Sequence, residues 1–264
     1  MSQLEIRVES SVNEAVGSEP QSGTSVAKAM ALLWAFDRAT PIGVSELARK
    51  ANLTKSTAFR LLSILEQGQL VERVSGRYRL GTGLFELGNQ VSYCCPRGLR
   101  DVAHPFLEDL YELTHETVHL AVVDSLDVLY IDKIFGRHPV RSPSRVGGRA
   151  PLHCTALGKA LLAAGEPEVV CRVLSGHLQC RTPYTITDAA RLEDALAQVR
   201  RDGKAFDREE AELGLTCVSA PVYNRRGATV AAISVSGATG RFDPPMYADK
   251  VRRSAAAIGD RLYN

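Results

Sequence analysis

The stretch that most constrains this chain runs from Val44 to Leu65, VSELARKANLTKSTAFRLLSIL. In Ser45 to Lys50, Leu47 and Ala48 supply an apolar side and Glu46 suits the positive start of a helix. Ala51-Asn52-Leu53 leaves room only for a turn, and Thr54 is a good N-cap for a second helix. Ala58, Leu61, Leu62 and Leu65 then fall at i, i+3, i+4 and i+7, the buried stripe of that helix. Lys55, Ser56, Thr57 and Arg60 are left facing outward near its N-terminal end. That is the layout of a helix-turn-helix whose second helix enters a major groove. An ordinary pair of packed helices has the same apolar pattern, so the neighbouring sequence has to decide.

Upstream, Ser25 can cap a helix in which Val26, Ala29, Met30, Leu33 and Phe36 form a stripe, with Trp34 off it. Trp34 packs within its domain or, if exposed, marks a dimer contact. Downstream, Gly68 supplies a glycine stop. Leu70–Val74, the Ser75-Gly76 turn and Arg77–Leu80 read as a β-hairpin. Three helices followed by a hairpin make a winged helix-turn-helix, and the wing carries Arg73, Arg77 and Arg79 toward phosphates or a minor groove. Residues 24–81 hold nine Lys/Arg against four acids, a net of +5, while the whole chain carries only +2. The positive charge sits where phosphate binding requires it. Charge, motif and order together point to double-stranded DNA as a partner.

The 264 residues are enough for two domains with real cores. No run approaches the roughly 18 apolar residues of a membrane helix. The start lacks the basic and apolar regions of a secretory signal, so a cytoplasmic protein with no membrane partner is expected. Residues 1–23 are polar and Ser/Glu-rich, as in a disordered tail. The six cysteines form no C-x-x-C pair and imply reduced thiols. A zinc site from His153, Cys154, Cys171 and Cys180 fits no usual ligand spacing, and neither metal nor cofactor is expected.

A linker helix over residues 84–91 precedes a boundary near Pro96, giving a winged head over 24–81, a linker over 82–96 and a second domain over 97–264. The second domain reads as helices at 99–114, 155–164, 168–174, 188–202 and 246–262. Its strands fall at 118–124, 128–135, 140–146, 204–207, 218–223 and 228–236. That order suggests an α+β domain with a mainly antiparallel sheet.

Four stretches taken together carry a specific resemblance: GVSELARKANLTKSTAFRLLSILEQGQLVE, VGGRAPLHCTALGKALLA at 146–163, DREEAELGLTCVSAPV at 207–222 and AAISVSGA at 231–238. Over nearly all of residues 24–263 the chain resembles the IclR family of bacterial transcriptional regulators. The resemblance implies a winged helix, a GAF-like α/β effector-binding domain, and dimers or tetramers on palindromic promoter DNA. It also implies an effector pocket lined by Ala156, Leu157, Asp207, Leu215, Cys217, Ser234 and Ser236, with a looser match near Ser142. Leu157 is bulkier than the small residue common there.

The residues support that mapping in part. Ser234 and Ser236 are two apart in a strand and share a face. Buried hydroxyls need partners, since an unpaired one costs about 1–3 kcal/mol. The helix start near Thr155 offers free amides to a carboxylate, and Asp207 can accept from a ligand hydroxyl, so a small organic acid is the natural effector. Against this, strand serines often bond neighbouring backbone and Asp207 has Arg208 beside it. Cys217 is a pocket-wall residue or, with His119, His153 or His177 as base, a nucleophile. The expected protein is a ligand-controlled transcription factor rather than an enzyme. The alternatives are a thiol-dependent hydrolase, or a redox or metal sensor using Cys94-Cys95, on a DNA-binding head.

Overall fold

The computed structural model describes residues 23–37, 40–138, 140 and 144–262. The N-terminal tail through residue 22 and Ser142 lie outside the described residues. The chain divides into two compact units, Met1–Gln90 and Val91–Asn264.

In the first unit α1 spans Ser25–Trp34, α2 Val44–Lys50 and α3 Lys55–Gln67. The wing strands β1 (Val71–Val74) and β2 (Arg77–Leu80) pair antiparallel, and α4 follows over Thr82–Asn89. The expected stripe of α3 is buried in full, and it packs with Leu32 of α1 and Leu47 and Ala48 of α2. Ser75 and Gly76 both take positive φ, the two-residue turn that matches strand twist.

Three local expectations need correction. Thr24, not Ser25, caps α1, its hydroxyl accepting from the Ala27 amide at 3.2 Å. Within α1 Leu32 is the buried residue, whereas Val26, Met30 and Trp34 are exposed along one face. The helix stops at Trp34; of the expected stripe Ala29, Leu33 and Phe36 pack against the core, and Val26 and Met30 do not. At the end of α3, Gly68 keeps φ −81° and Gln69 takes φ +58°. Gly68 is thus the C-cap where a glycine stop was expected, but the left-handed turn of the backbone falls on Gln69.

The second unit contains α5 (Leu99–Thr114), β3 (Thr117–Asp124), β4 (Asp127–Ile134), β5 (Arg149–Pro151), α6 (Ala156–Ala163) and α7 (Pro167–Ser175). It continues with α8 (Ala189–Asp202), β6 (Ala205–Arg208), β7 (Leu215–Tyr223), β8 (Thr229–Ala238) and α9 (Pro244–Arg261). The six strands form one sheet in the order β5-β4-β3-β8-β7-β6, with every described pairing antiparallel. An extended piece was expected at 140–146, but the short strand beside β4 falls later, after the Val146-Gly147 turn.

Strand alternation sorts this sheet into two faces. Val118, Leu120 and Val122 of β3, Val218, Ala220 and Val222 of β7, and Ala231, Ile233 and Val235 of β8 pack with α5 and α9. On the other face Ala121, Val128, Ala205 and Ala232 pack with Leu157, Ala160 and Leu161 of α6 and with Leu192 and Leu196 of α8. That second face carries the polar residues of interest.

Candidate functional site

The first unit presents a basic surface built on α3. Thr54 caps the helix, accepting from the Thr57 amide at 3.3 Å, and its hydroxyl hydrogen goes to Thr57 Oγ1 at 2.9 Å. Ser56 Oγ lies 3.2 Å from Thr54 Oγ1. The two hydroxyls expected to face DNA are therefore engaged in holding the helix start. Lys55 and Arg60 are exposed, and among the described residues neither forms an ion pair. The wing arginines are not equivalent. Arg79 is paired with Glu72, Arg77 donates to the Pro41 carbonyl at 3.4 Å, and Arg73 lies over the Tyr78 ring at 5.9 Å. Arg49, exposed near the end of α2, belongs to the same surface and was seen only in the charge count.

The second unit encloses a cavity of about 50 Å³ between the sheet and the start of α6. All seven expected effector residues line it: Ala156 and Leu157 from α6, Asp207 from β6, Leu215 and Cys217 from β7, and Ser234 and Ser236 from β8. Strand register explains the convergence. Asp207 lies opposite Cys217, which lies opposite Ser236, and in a second row Ser234 lies opposite His119. Thr155 caps α6, its Oγ1 accepting from the Gly158 amide at 2.9 Å. Among the described residues the amides of Ala156 and Leu157 have no acceptor, which leaves two donors at the positive helix end. The roof is pinned at Gly158: a Cβ there would sit 2.0 Å from the Leu152 carbonyl oxygen.

Neighbouring groups set the protonation of this floor. Asp207 is 1% exposed, and burial pushes its carboxyl up to about 7. The Glu210 amide, donating to Oδ1 at 2.8 Å, partly opposes that rise. Arg208 is not its partner and stacks on Phe206 instead. Burial first, and the Asp207 charge second, push the Cys217 thiol well up. Cys154 rises to about 12 mainly through burial. The thiolate that a nucleophilic cysteine needs is thus disfavoured.

Sequence reasoning missed His119, Tyr130 and Arg181 as wall residues. His119 is buried, and burial, with a smaller contribution from Lys133, lowers it to about 3, so its ring is neutral. Lys133 Nζ donates to Ser144 Oγ at 3.0 Å and to the Ser144 carbonyl at 2.6 Å. Ser144 Oγ lies 2.8 Å from His119 Nε2. Ser144 Oγ thus bridges the Lys133 ammonium, which only donates, and the His119 ring. On its other side Nδ1 faces Ser234 Oγ at 3.4 Å, which joins the ring to the cavity floor. Arg181 adds a guanidinium to the wall with no ion pair among the described residues. The alternation of β3 puts His119 on the face of Ala121, but only the register shows that Ser234 lies beside it.

Beside the cavity Lys159 pairs with Glu210, and the Thr182 and Thr185 hydroxyls donate to the Glu209 and Glu210 carbonyls at 2.6 Å each. The D-R-E-E turn is thereby tied to both α6 and the loop before α8. Among the described residues no three His, Cys, Asp or Glu side chains gather as a metal-holding group. His153 instead meets the Gln179 carbonyl at 3.0 Å.

A winged basic head and a separate cavity-bearing α+β unit define a ligand-controlled, DNA-binding transcriptional regulator. Residues 25–75 match the IclR helix-turn-helix domain, and residues 91–260 match the domain described as bacterial transcriptional regulator IclR C-terminal. The chain belongs to the IclR family of bacterial transcriptional regulators. It is 37% identical to the Escherichia coli regulator KdgR over 87% of this chain and 88% of that one. It is 34% identical to the E. coli transcriptional repressor IclR over 86% and 85%. Among solved structures, an IclR homologue from Microbacterium hydrocarbonoxydans complexed with 4-hydroxybenzoate gives a TM-score of 0.83 at 30% identity, over 90% of this chain and 99% of that one. The Thermotoga maritima IclR gives 0.77 at 34%, over 89% and 97%.

Proposed function

We propose that a small organic acid bound in the cavity controls how this regulator engages a palindromic promoter site. The observation that carries the reading is the convergence of four sequence segments on one cavity whose wall combines the open amides of α6 with the Arg181 guanidinium. The free amides of α6, the Ser234 hydroxyl and the Arg181 guanidinium together suit a carboxylate. Asp207 near neutrality accepts a ligand hydroxyl when ionised and takes up a proton when an anion sits beside it. About 50 Å³ is a third of the volume of about 150 Å³ in which an apolar cavity takes up benzene. An acid of few carbons therefore fits without displacing Leu157. The relative complexed with 4-hydroxybenzoate accommodates a ring.

On the DNA side Lys55 and Arg60 of α3 meet the major groove, with Arg73, Arg77 and Arg79 on the backbone and Ser56 and Thr57 stabilising the helix start. Val26, Met30 and Trp34, the last 72% exposed, form an apolar face on α1 suited to a second copy, giving a homodimer or a homotetramer of dimers. Residues 82–96 link head and effector unit, and ligand shifts the balance between two placements of the heads by binding them unequally. The protein works in the cytoplasm as a binding protein rather than an enzyme, a reading supported by the two cavity-wall cysteines, Cys154 and Cys217, being buried with their thiols held protonated.

A thermal-shift screen of small acids, with 4-hydroxybenzoate as the aromatic comparator, tests this reading. A short-chain acid is expected to raise the melting temperature of the wild type and not of the Ser234→Ala/Ser236→Ala variant. The same acid should change promoter binding in a shift assay. An equal shift in both proteins places the ligand elsewhere.

A further inference from the structure

We infer that Phe59 reads the 5-methyl group of a thymine in each half-site, an assignment that rests on the placement of α3 in the major groove. The core of the head is complete without this ring, because Ala58, Leu61, Leu62 and Leu65 supply the whole buried stripe of the helix. Phe59 lies one residue round from that stripe and is 50% exposed. Its neighbours along the outer face are Lys55 at i−4, Ser56 at i−3 and Ser63 at i+4, all exposed and two of them short. The ring therefore projects beyond the side chains around it.

The same face has few groups able to read bases by hydrogen bonding. Ser56 and Thr57 are tied to Thr54, which leaves Lys55 and Arg60 as the long polar side chains of the first two turns. These are the turns that a helix-turn-helix presents to base edges. In the major groove the thymine methyl is the one apolar group that projects from a base edge; the other edges present donors and acceptors, with only the flat C5–H of cytosine besides. A phenyl ring set against any other edge strips water from a polar group and returns nothing. Against thymine it buries a methyl and gains contact area. Arg60, the adjacent residue, is the donor pair for a neighbouring guanine, and together they specify a thymine and a guanine close together in each half-site.

The test begins with in vitro selection of duplexes by the full-length protein. Each thymine of the enriched site is then replaced singly by deoxyuridine, which removes the methyl and nothing else. At one thymine per half-site the wild type should lose affinity about fourfold, the worth of one buried methyl. Phe59→Ala should bind the two duplexes equally at that position while melting as the wild type does. If no thymine senses the replacement, or if Phe59→Ala senses it as the wild type does, the assignment is wrong. Arg60→Ala separates this failure from that of the underlying reading. A loss of affinity and of salt slope in Arg60→Ala without any deoxyuridine effect overturns the thymine contact alone. No loss in Arg60→Ala and no deoxyuridine effect removes α3 from the groove altogether.

Discussion

In the winged head Lys55, Arg60 and Arg73 stand on the surface with no ion pair among the described residues. In the second unit Lys159, Glu210, Asp207 and His119 are buried, and each is held by a partner. The head keeps its charges solvated, so they cost little until a polyanion displaces counterions around them. The effector unit has already desolvated its polar groups, so their protonation states are set before any ligand arrives. One region is built for long-range attraction, the other for short-range selection.

The largest test of this contrast acts on packing, which both regions need. Leu62 is fully buried in the small core of the head, so Leu62→Ala should cost about 2–5 kcal/mol and abolish DNA binding. Chemical denaturation should show the loss, while acid binding by the second unit persists. If effector binding disappears with it, the two regions are less separable than their division suggests.

Next in size is the pH dependence at Asp207. Its carboxyl titrates near 7 when folded and near 3.8 when unfolded, so the native state holds the extra proton between those values. Stability falls as pH rises through that window, by up to about 4 kcal/mol at its upper end. Asp207→Asn keeps an acceptor for the Glu210 amide and should flatten the profile. Urea denaturation at about pH 4.5 and about pH 8 measures this, the variant gaining on the wild type only at the higher pH.

Arginines of the head should rank by what they already hold. Arg60→Ala is expected to weaken promoter binding about 5- to 150-fold and to lower the salt slope by about 1. Arg79→Ala, whose guanidinium is shared with Glu72, should lose less than about fivefold. Equal losses in a shift assay across salt concentrations would erase the distinction. The smallest effect is spectroscopic. Nitrogen NMR of the histidine rings should show His119 neutral near pH 7, and Lys133→Met should move its titration upward toward the ordinary histidine range. A protonated His119 ring near pH 7 in the wild type would overturn the contrast at this residue.

Much of this fold was legible because its helices carry apolar stripes and its strands carry β-branched runs. The stripe of α3 and the hairpin with its Ser75-Gly76 turn are local patterns that one segment specifies alone. Where one pattern ran past a helix end, as from Val26 to Phe36, the reading put Val26 and Met30 on the wrong side. The departure at Gln69 has no residue-type signal, since a left-handed glutamine is chosen by the turn into β1. At the cavity the family resemblance named seven wall residues. Tyr130 and Arg181 stayed hidden, and His119 was read only as a possible base for Cys217, because their places in the wall come from register across the sheet and from a loop at its edge. The tie between Thr57, Ser56 and Thr54 was likewise invisible, since outward-facing hydroxyls look alike whether they meet solvent or one another.

Gly158 has a consequence for anyone who would retune this switch as a biosensor. With the Leu152 carbonyl seated where its side chain would begin, the start of the helix above the cavity lies tight against the loop before it and tolerates not even a methyl at this position. New ligand preference has to be engineered by exchanging individual side chains at the rim, Leu157 and Arg181 first, around a backbone that stays put. A library of such exchanges would explore many guests on one unchanged backbone.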